Sequence, residues 1–288
     1  MMDQSILTEI TKKAKTYWMK DLVSIVVFGS FAKRRKKYND VDLLIVLKDI
    51  KEDRIRRIPN IVGFKASLDV SSPVDVLLLS KRECAGNFRN HNPLFLDVTL
   101  DGVVVYDMND FARGLIDETA RYIKDRNIVR KGTAWFFPLK THVAALSKIS
   151  NADWARVWIN DSSRDLESAR ILYTHGLFEK SVYHSVLCVE KAVKAILICF
   201  GAFERKHEVS ALLESQARER DLLKGDLKEL ISIAADMEEH IVLSRYPASG
   251  EDIWIPCEKY NDKDGRDYLD KAERAYNIAA KFVDEWLK

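Results

Sequence analysis

Three aspartates, a Gly-Ser pair and a run of cations are the residues of this sequence whose types and spacing can do phosphate chemistry. Asp40 and Asp42 flank Val41 and open the apolar run Leu43-Leu44-Ile45-Val46-Leu47. Alternate side chains of a strand share a face, so the two carboxylates stand roughly 6.5–7 Å apart by Cα. Hard oxygen donors so placed suit Mg²⁺, which takes few protein carboxylates and fills its octahedron with water and substrate phosphate. Asp75 is a third carboxylate, set inside Val74-Asp75-Val76-Leu77-Leu78-Leu79. A charge in such a run is costly unless it is paired or bound to a metal. Upstream, the apolar run Ser24–Phe28 stops at Gly29-Ser30. Glycine lets a backbone approach a phosphate closely, and the serine adds a hydroxyl beside amides that can open a helix.

The elements that must position these groups follow from the pattern around them. Residues 3 to 19 carry Ile6, Ile10, Ala14 and Trp18 at spacings of four, which predicts an amphipathic helix. Two strands follow, joined by Lys33-Arg34-Arg35-Lys36-Lys37, which is either a solvated loop or a set of phosphate contacts through Lys33 or Arg34. Residues 48 to 60, with Ile50, Ile55, Ile58 and Ile61 in step, predict a helix or helix-loop on the outer face. Pro73 introduces the strand of Asp75. His91 falls in a polar loop, where a lone histidine is expected to face solvent, and Asn92-Pro93-Leu94-Phe95-Leu96 opens another apolar segment. Gly102 to Tyr106 predicts a further strand and Phe111 to Tyr122 a helix. The sum is an α/β (α+β) domain with a mixed sheet over residues 1–126.

Nine residues separate Ser30 from Asp40, and with Asp42 and the later Asp75 the order of these motifs resembles the nucleotidyltransferase superfamily with the DNA polymerase β-type palm. The nearest likeness is to the minimal nucleotidyltransferases of prokaryotes. The resemblance implies that Gly29 and Ser30 hold a nucleoside triphosphate, ATP or another, with Lys33 and Arg34 beside it. It also implies that Asp40, Asp42 and Asp75 hold two Mg²⁺ ions, or Mn²⁺, and carry the catalysis, Asp75 helping to activate the attacking hydroxyl. No catalytic position of the pattern is missing, so the expected activity is transfer of NMP, with AMP from ATP foremost, to a hydroxyl acceptor.

Residues 127–152 read as an interdomain connection in which Trp135-Phe136-Phe137 packs an interface. From Asp153 to Lys288 no strand pattern recurs. Helices are predicted at 154–173, 179–200, 208–219, 226–243 and 262–288, an all-α helical bundle. Ser181-Val182-Tyr183-His184 through Glu190-Lys191-Ala192-Val193-Lys194, with Arg164-Asp165-Leu166, His207 and Ser244-Arg245-Tyr246-Pro247, resembles the HEPN domain (higher eukaryotes and prokaryotes nucleotide-binding). By analogy with palms followed by a helical bundle, the bundle would shape the acceptor side of a cleft. Asp161 and Asp165, four apart on one helix face, are either solvated or candidates for that cleft. Arg245 and Tyr246 either cap a helix or line it, while Glu190, Lys191 and Lys194 read as surface pairs that support the fold. HEPN ribonucleases carry Arg, four to six residues, then His. Arg170 to His175 has the spacing but ends the first bundle helix, and Arg245 has no histidine after it, so RNA cleavage is disfavoured.

Composition bounds the rest. The 288 residues carry 46 basic and 44 acidic side chains, a net charge of +2, which gives no overall affinity for polyanions. Cys84, Cys188, Cys199 and Cys257 lack metal-ligand spacing. Neither a signal peptide nor a membrane span is evident, so a reduced, cytoplasmic protein without membrane partners is expected. The acceptor is a small molecule, a protein or an RNA, and homo-oligomer formation is left open. The alternative reading is a nucleotide- or nucleic-acid-binding module of a toxin–antitoxin or defence system.

Overall fold

The structure is a computed structural model that describes residues 4–33, 38–139, 144, 149–249 and 253–288. It separates into two compact units, Met1–Arg126 and Asn127–Lys288.

In the first unit α1 (Gln4–Trp18) leads into β1 (Leu22–Phe28), the short α2 (Gly29–Ala32) and β2 (Val41–Leu47). Then come α3 (Ile58–Ser67), β3 (Val74–Ser80), α4 (Lys81–Arg89), α5 (Pro93–Asp101), β4 (Val103–Asp107) and α6 (Phe111–Asp125). The described strands form a four-stranded sheet in the order β3-β2-β1-β4. It is mixed: β1 runs antiparallel to β2 and β4, and β2 runs parallel to β3. Both faces are covered, which explains why β1 and β2 read as nearly unbroken apolar runs. Ile25, Val27, Leu43 and Ile45 pack with Ile6, Ile10 and Trp18 of α1 and Phe64 of α3. Val26, Leu44 and Val46 pack on the other side with Phe88, Phe95, Val98 and Leu115.

One local expectation is corrected here and two are made specific. Of the helix or helix-loop expected over 48–60, the helix begins only at Ile58, because the Asp53 carboxylate accepts the amides of Ile55 and Arg56 in a turn and Pro59 sits in the first helical turn. Ile55 and Ile58 are exposed, so their spacing with Ile50 and Ile61 was not that of a buried face. The apolar segment after Asn92 is the helix α5, whose first turn is capped by the Asn92 side chain accepting from the Leu94 amide. His91 is buried, not solvent-facing: its ring stacks on Tyr122 at 3.6 Å between centroids and 11° between planes.

The second unit begins with two strands, β5 (Val129–Lys131) and β6 (Ala134–Phe136). After α7 (Asn151–Thr174) and α8 (Phe178–Cys199), a two-residue strand β7 (Ala202–Phe203) pairs with β6 to give the order β5-β6-β7. Thus residues 129–136, read from sequence as part of a connection, hydrogen-bond within the second unit, and Trp135 is fully buried there. The chain continues through α9 (Ser210–Glu219), α10 (Gly225–Met237), α11 (His240–Leu243), β8 (Ala248–Ser249), β9 (Ile253–Trp254), α12 (Pro256–Lys259) and α13 (Asp262–Trp286). Strands β7, β8 and β9 depart from the expectation of helices alone after Asp153; each spans only two residues, too short for alternation to register. The helix predicted over 226–243 is interrupted near Glu238. That carboxylate accepts the Val209 and Ser210 amides at 2.7 Å each and the Ser210 hydroxyl at 2.8 Å, and so fixes the start of α9. Helices α7, α8 and α13 form the centre of the bundle, with Ala155, Ala169, Val182, Val189, Ala272 and Ala279 all buried. Among the described residues no helix is long and apolar enough to cross a membrane.

Candidate functional site

Strand β1 delivers the Gly-Ser turn. Phe28 is extended, and Gly29 turns into α2 with a φ of +73°, a left-handed conformation that glycine adopts without strain. The turn lies directly against the second strand, since Phe28 is the register partner of Asp42. A β carbon at position 29 would overlap the Asp42 carboxylate, standing 2.8 Å from its Cγ. Ser30 follows, half-buried.

Strand β2 supplies the acidic pair. Asp42 lies within the strand and Asp40 immediately before it, both half-buried, with Val41 between them in the opposite core. Asp75 on the neighbouring parallel strand is the direct register partner of Asp42. Parallel partners sit roughly 4.8 Å apart with side chains on one face. Asp42 and Asp75 therefore spring from paired backbone positions, Asp42 lies against Gly29, and Asp40 comes two residues before Asp42. Asp75 differs in exposure: its side chain is 68 % accessible, and its Oδ1 accepts from Lys65 Nζ of α3 at 3.2 Å. Lys65 was not singled out from the sequence, which offers no local signal linking it to a strand ten residues on.

Lys33 reaches Asp101 of α5, with Nζ 2.9 Å from Oδ2. Arg34, the other cation expected near the triphosphate, lies outside the described residues.

The donor set suits a hard divalent cation in kind and in backbone placement. Carboxylate oxygens are its preferred ligands, two come from register partners, and the glycine turn leaves no side chain between backbone and Asp42. Among the described residues, however, no three acidic, His or Cys side chains are gathered tightly enough to hold a metal as they stand. Asp75 is held by Lys65 of α3.

The polar residues of the second unit form separate groups. Lys191 of α8 bridges Asp161 and Asp165 of α7, with Nζ 2.6 Å and 2.5 Å from their carboxylates. His184 Nδ1 lies 2.9 Å from the other oxygen of Asp165. Burial acts to raise the Asp165 carboxyl, but hydrogen bonds from His184 and Lys191 outweigh it and hold it below the usual carboxylate range. Asp165 is thus a buried, paired group, and only Asp161 of the two is well exposed. Glu190 and Lys194, expected as surface pairs, are buried: Lys194 Nζ donates to Glu190 at 2.7 Å, and His207 Nδ1 lies 2.9 Å from the second Glu190 oxygen. Arg245 stacks over Tyr246 at 4.8 Å and over Tyr183 at 5.6 Å. Arg170 is paired with Glu273 at 2.8 Å, and His175 Nδ1 lies 2.7 Å from the Ile171 carbonyl, so each has a partner within the bundle.

Comparison with known proteins places two families on the chain. The nucleotidyltransferase domain family matches residues 7–105, and the HEPN domain family matches residues 155–288. "Putative toxin MJ1304" of Methanocaldococcus jannaschii is 38% identical over 140 residues, which are 47% of this chain and 91% of that protein. "Putative protein adenylyltransferase MJ1305" of the same organism is 28% identical over 130 residues, 43% of this chain and 84% of that protein. The solved structure of ST0689, an archaeal HEPN homologue, is 28% identical with a TM-score of 0.35, over 45% of this chain and 97% of its own. With strands and glycine turn in the first unit and a helical second unit, the chain belongs to the HEPN family through its C-terminal half and is fused there to a nucleotidyltransferase domain.

Proposed function

We propose that the first unit transfers AMP from ATP to a hydroxyl group in a reaction that depends on a divalent cation. The observation that carries this reading is the in-register pairing of Asp42 with Asp75, beside a glycine turn pressed against the Asp42 carboxylate. Asp40, Asp42 and Asp75 would hold Mg²⁺ or Mn²⁺, which when bound offsets negative charge growing on the attacking and leaving oxygens. Gly29 and Ser30 present backbone amide and hydroxyl donors to the phosphates. Asp75, the most accessible of the three carboxylates, takes the proton of the acceptor hydroxyl. The hydroxyl oxygen forms a bond to the α-phosphorus, the bond from that phosphorus to the α,β-bridging oxygen breaks, and pyrophosphate leaves with the electron pair. A relative named as a protein adenylyltransferase makes a protein side chain the first acceptor to test.

A second reading is favoured by the relative named as a toxin: the fused units form a toxin–antitoxin module in which the first unit binds nucleotide without transferring it. One experiment separates the two. The chain is incubated with α-labelled ATP, CTP, GTP or UTP, Mg²⁺ or Mn²⁺ and cell extract, and label is followed into protein, RNA and small-molecule fractions. Transfer predicts label from ATP that is lost in the Asp40→Ala, Asp42→Ala double variant while that variant melts as the parent does. Nucleotide binding by calorimetry with no label in any fraction would favour the binding module.

A further inference from the structure

Asp75 starts on one face of the sheet and is held from the other. Its register partner Asp42 shares an alternation with Leu44 and Val46, which pack with Phe88 and Phe95. Lys65 instead follows Phe64 on α3, the helix that packs with α1 against the opposite core. The two can meet because β3 is the outermost of the described strands of the sheet, so the Asp75 side chain reaches Lys65 at its edge. The pair is well exposed, at 39% for Lys65 and 68% for Asp75. Exposed ion pairs are weak, and a divalent ion held by several oxygens outbids a single ammonium.

From this geometry, and resting on the metal-dependent reading above, we infer that Lys65 is a positioning residue that works as an electrostatic latch. In the cation-free state it draws the third carboxylate away from Asp40 and Asp42, and it must release Asp75 before all three carboxylates can share a cation. The latch keeps the Asp75 charge compensated when nothing is bound, at the cost of some cation affinity. Release also frees a lysine at the rim of the site, close to where the acceptor hydroxyl meets Asp75.

The test is a Mn²⁺ titration of the full chain carrying a saturating non-hydrolysable ATP analogue, with free Mn²⁺ read by electron paramagnetic resonance. Lys65→Gln removes the ammonium and is expected to tighten Mn²⁺ binding about two- to fivefold, the worth of an exposed ion pair. Lys65→Arg keeps the charge and is expected to bind as the parent does. If Mn²⁺ binds the parent and requires Asp40 and Asp42, but Lys65→Gln binds it equally or more weakly, the latch is wrong and the metal site stands. If neither parent nor variant binds Mn²⁺, the metal site and the latch both fall.

Discussion

Gly29 and Asp42 share a space that admits only one side chain. The glycine backbone, at a φ of +73°, lies where its own β carbon would collide with the Asp42 carboxylate. The first acidic strand and the glycine turn are therefore set against each other by the absence of an atom.

Gly29→Ala should be impaired twice over. The left-handed φ strains alanine, and the added methyl must push Asp42 aside, together costing about 1–3 kcal/mol of stability. A displacement of the carboxylate on the order of 1 Å should lower nucleotide transfer about 100-fold. Thermal unfolding and the labelled-ATP assay measure the two effects. An alanine variant that is fully active would show that the turn does not position Asp42.

Acid stability of the first unit should depend on Glu83. Arg57, only 5% exposed, holds this carboxylate by two bonds of 2.9 Å, and the Ser80 amide donates to it at 2.8 Å. Burial acts to raise the Glu83 carboxyl, but the Arg57 and Ser80 hydrogen bonds prevail and bring it from 4.5 to about 2. Because the folded value is depressed, the stabilisation is present above pH 4.5 and is lost as pH falls toward 2. Glu83→Gln should cost about 1–3 kcal/mol near neutrality, less than a fully buried pair because Glu83 is partly exposed. The difference in melting temperature between parent and variant should shrink across that acid window; a constant difference would rule out the pair as its source.

Thiol reactivity should single out Cys257. Burial pushes Cys84, Cys188 and Cys199 up to about 12 each, which leaves almost no thiolate at neutral pH. Cys257 is exposed. A disulfide reagent at pH 8 should therefore titrate one thiol per native chain, none in Cys257→Ser, and the buried three only on unfolding. Two or more fast thiols in the native parent would contradict this burial.

What the sequence made legible was local in kind. The apolar runs around Asp42 and Asp75 marked the two strands whose register joins them, while Asp40, read from alternation as a strand residue, lies just before β2. Helix spacing found α8 because most of its apolar positions enter the core. Lys65 stayed hidden because it meets Asp75 round a sheet edge, a contact that no spacing encodes. The isoleucines of residues 50–61 misled because spacing cannot tell Ile61, packed against the core, from Ile55, left in solvent. His91 was misjudged because its burial comes from Tyr122, thirty-one positions along the chain.

The pairing of Ala202–Phe203 with Trp135–Phe136 fixes where a protease or a gene truncation can divide this protein cleanly. A fragment that starts at Asp153, where the helical sequence pattern sets in, would lack strands β5 and β6 and leave Phe203 and the carbonyl of Gly201 without the strand they bond. It should be insoluble or slow to fold. A fragment that starts at Asn127 keeps those bonds and the buried Trp135 indole, whose fluorescence then reports whether the excised half has folded. The ten residues after Arg126, which read from sequence as the start of an interdomain connection, are thus the first piece of the second half to be retained in any attempt to express it alone.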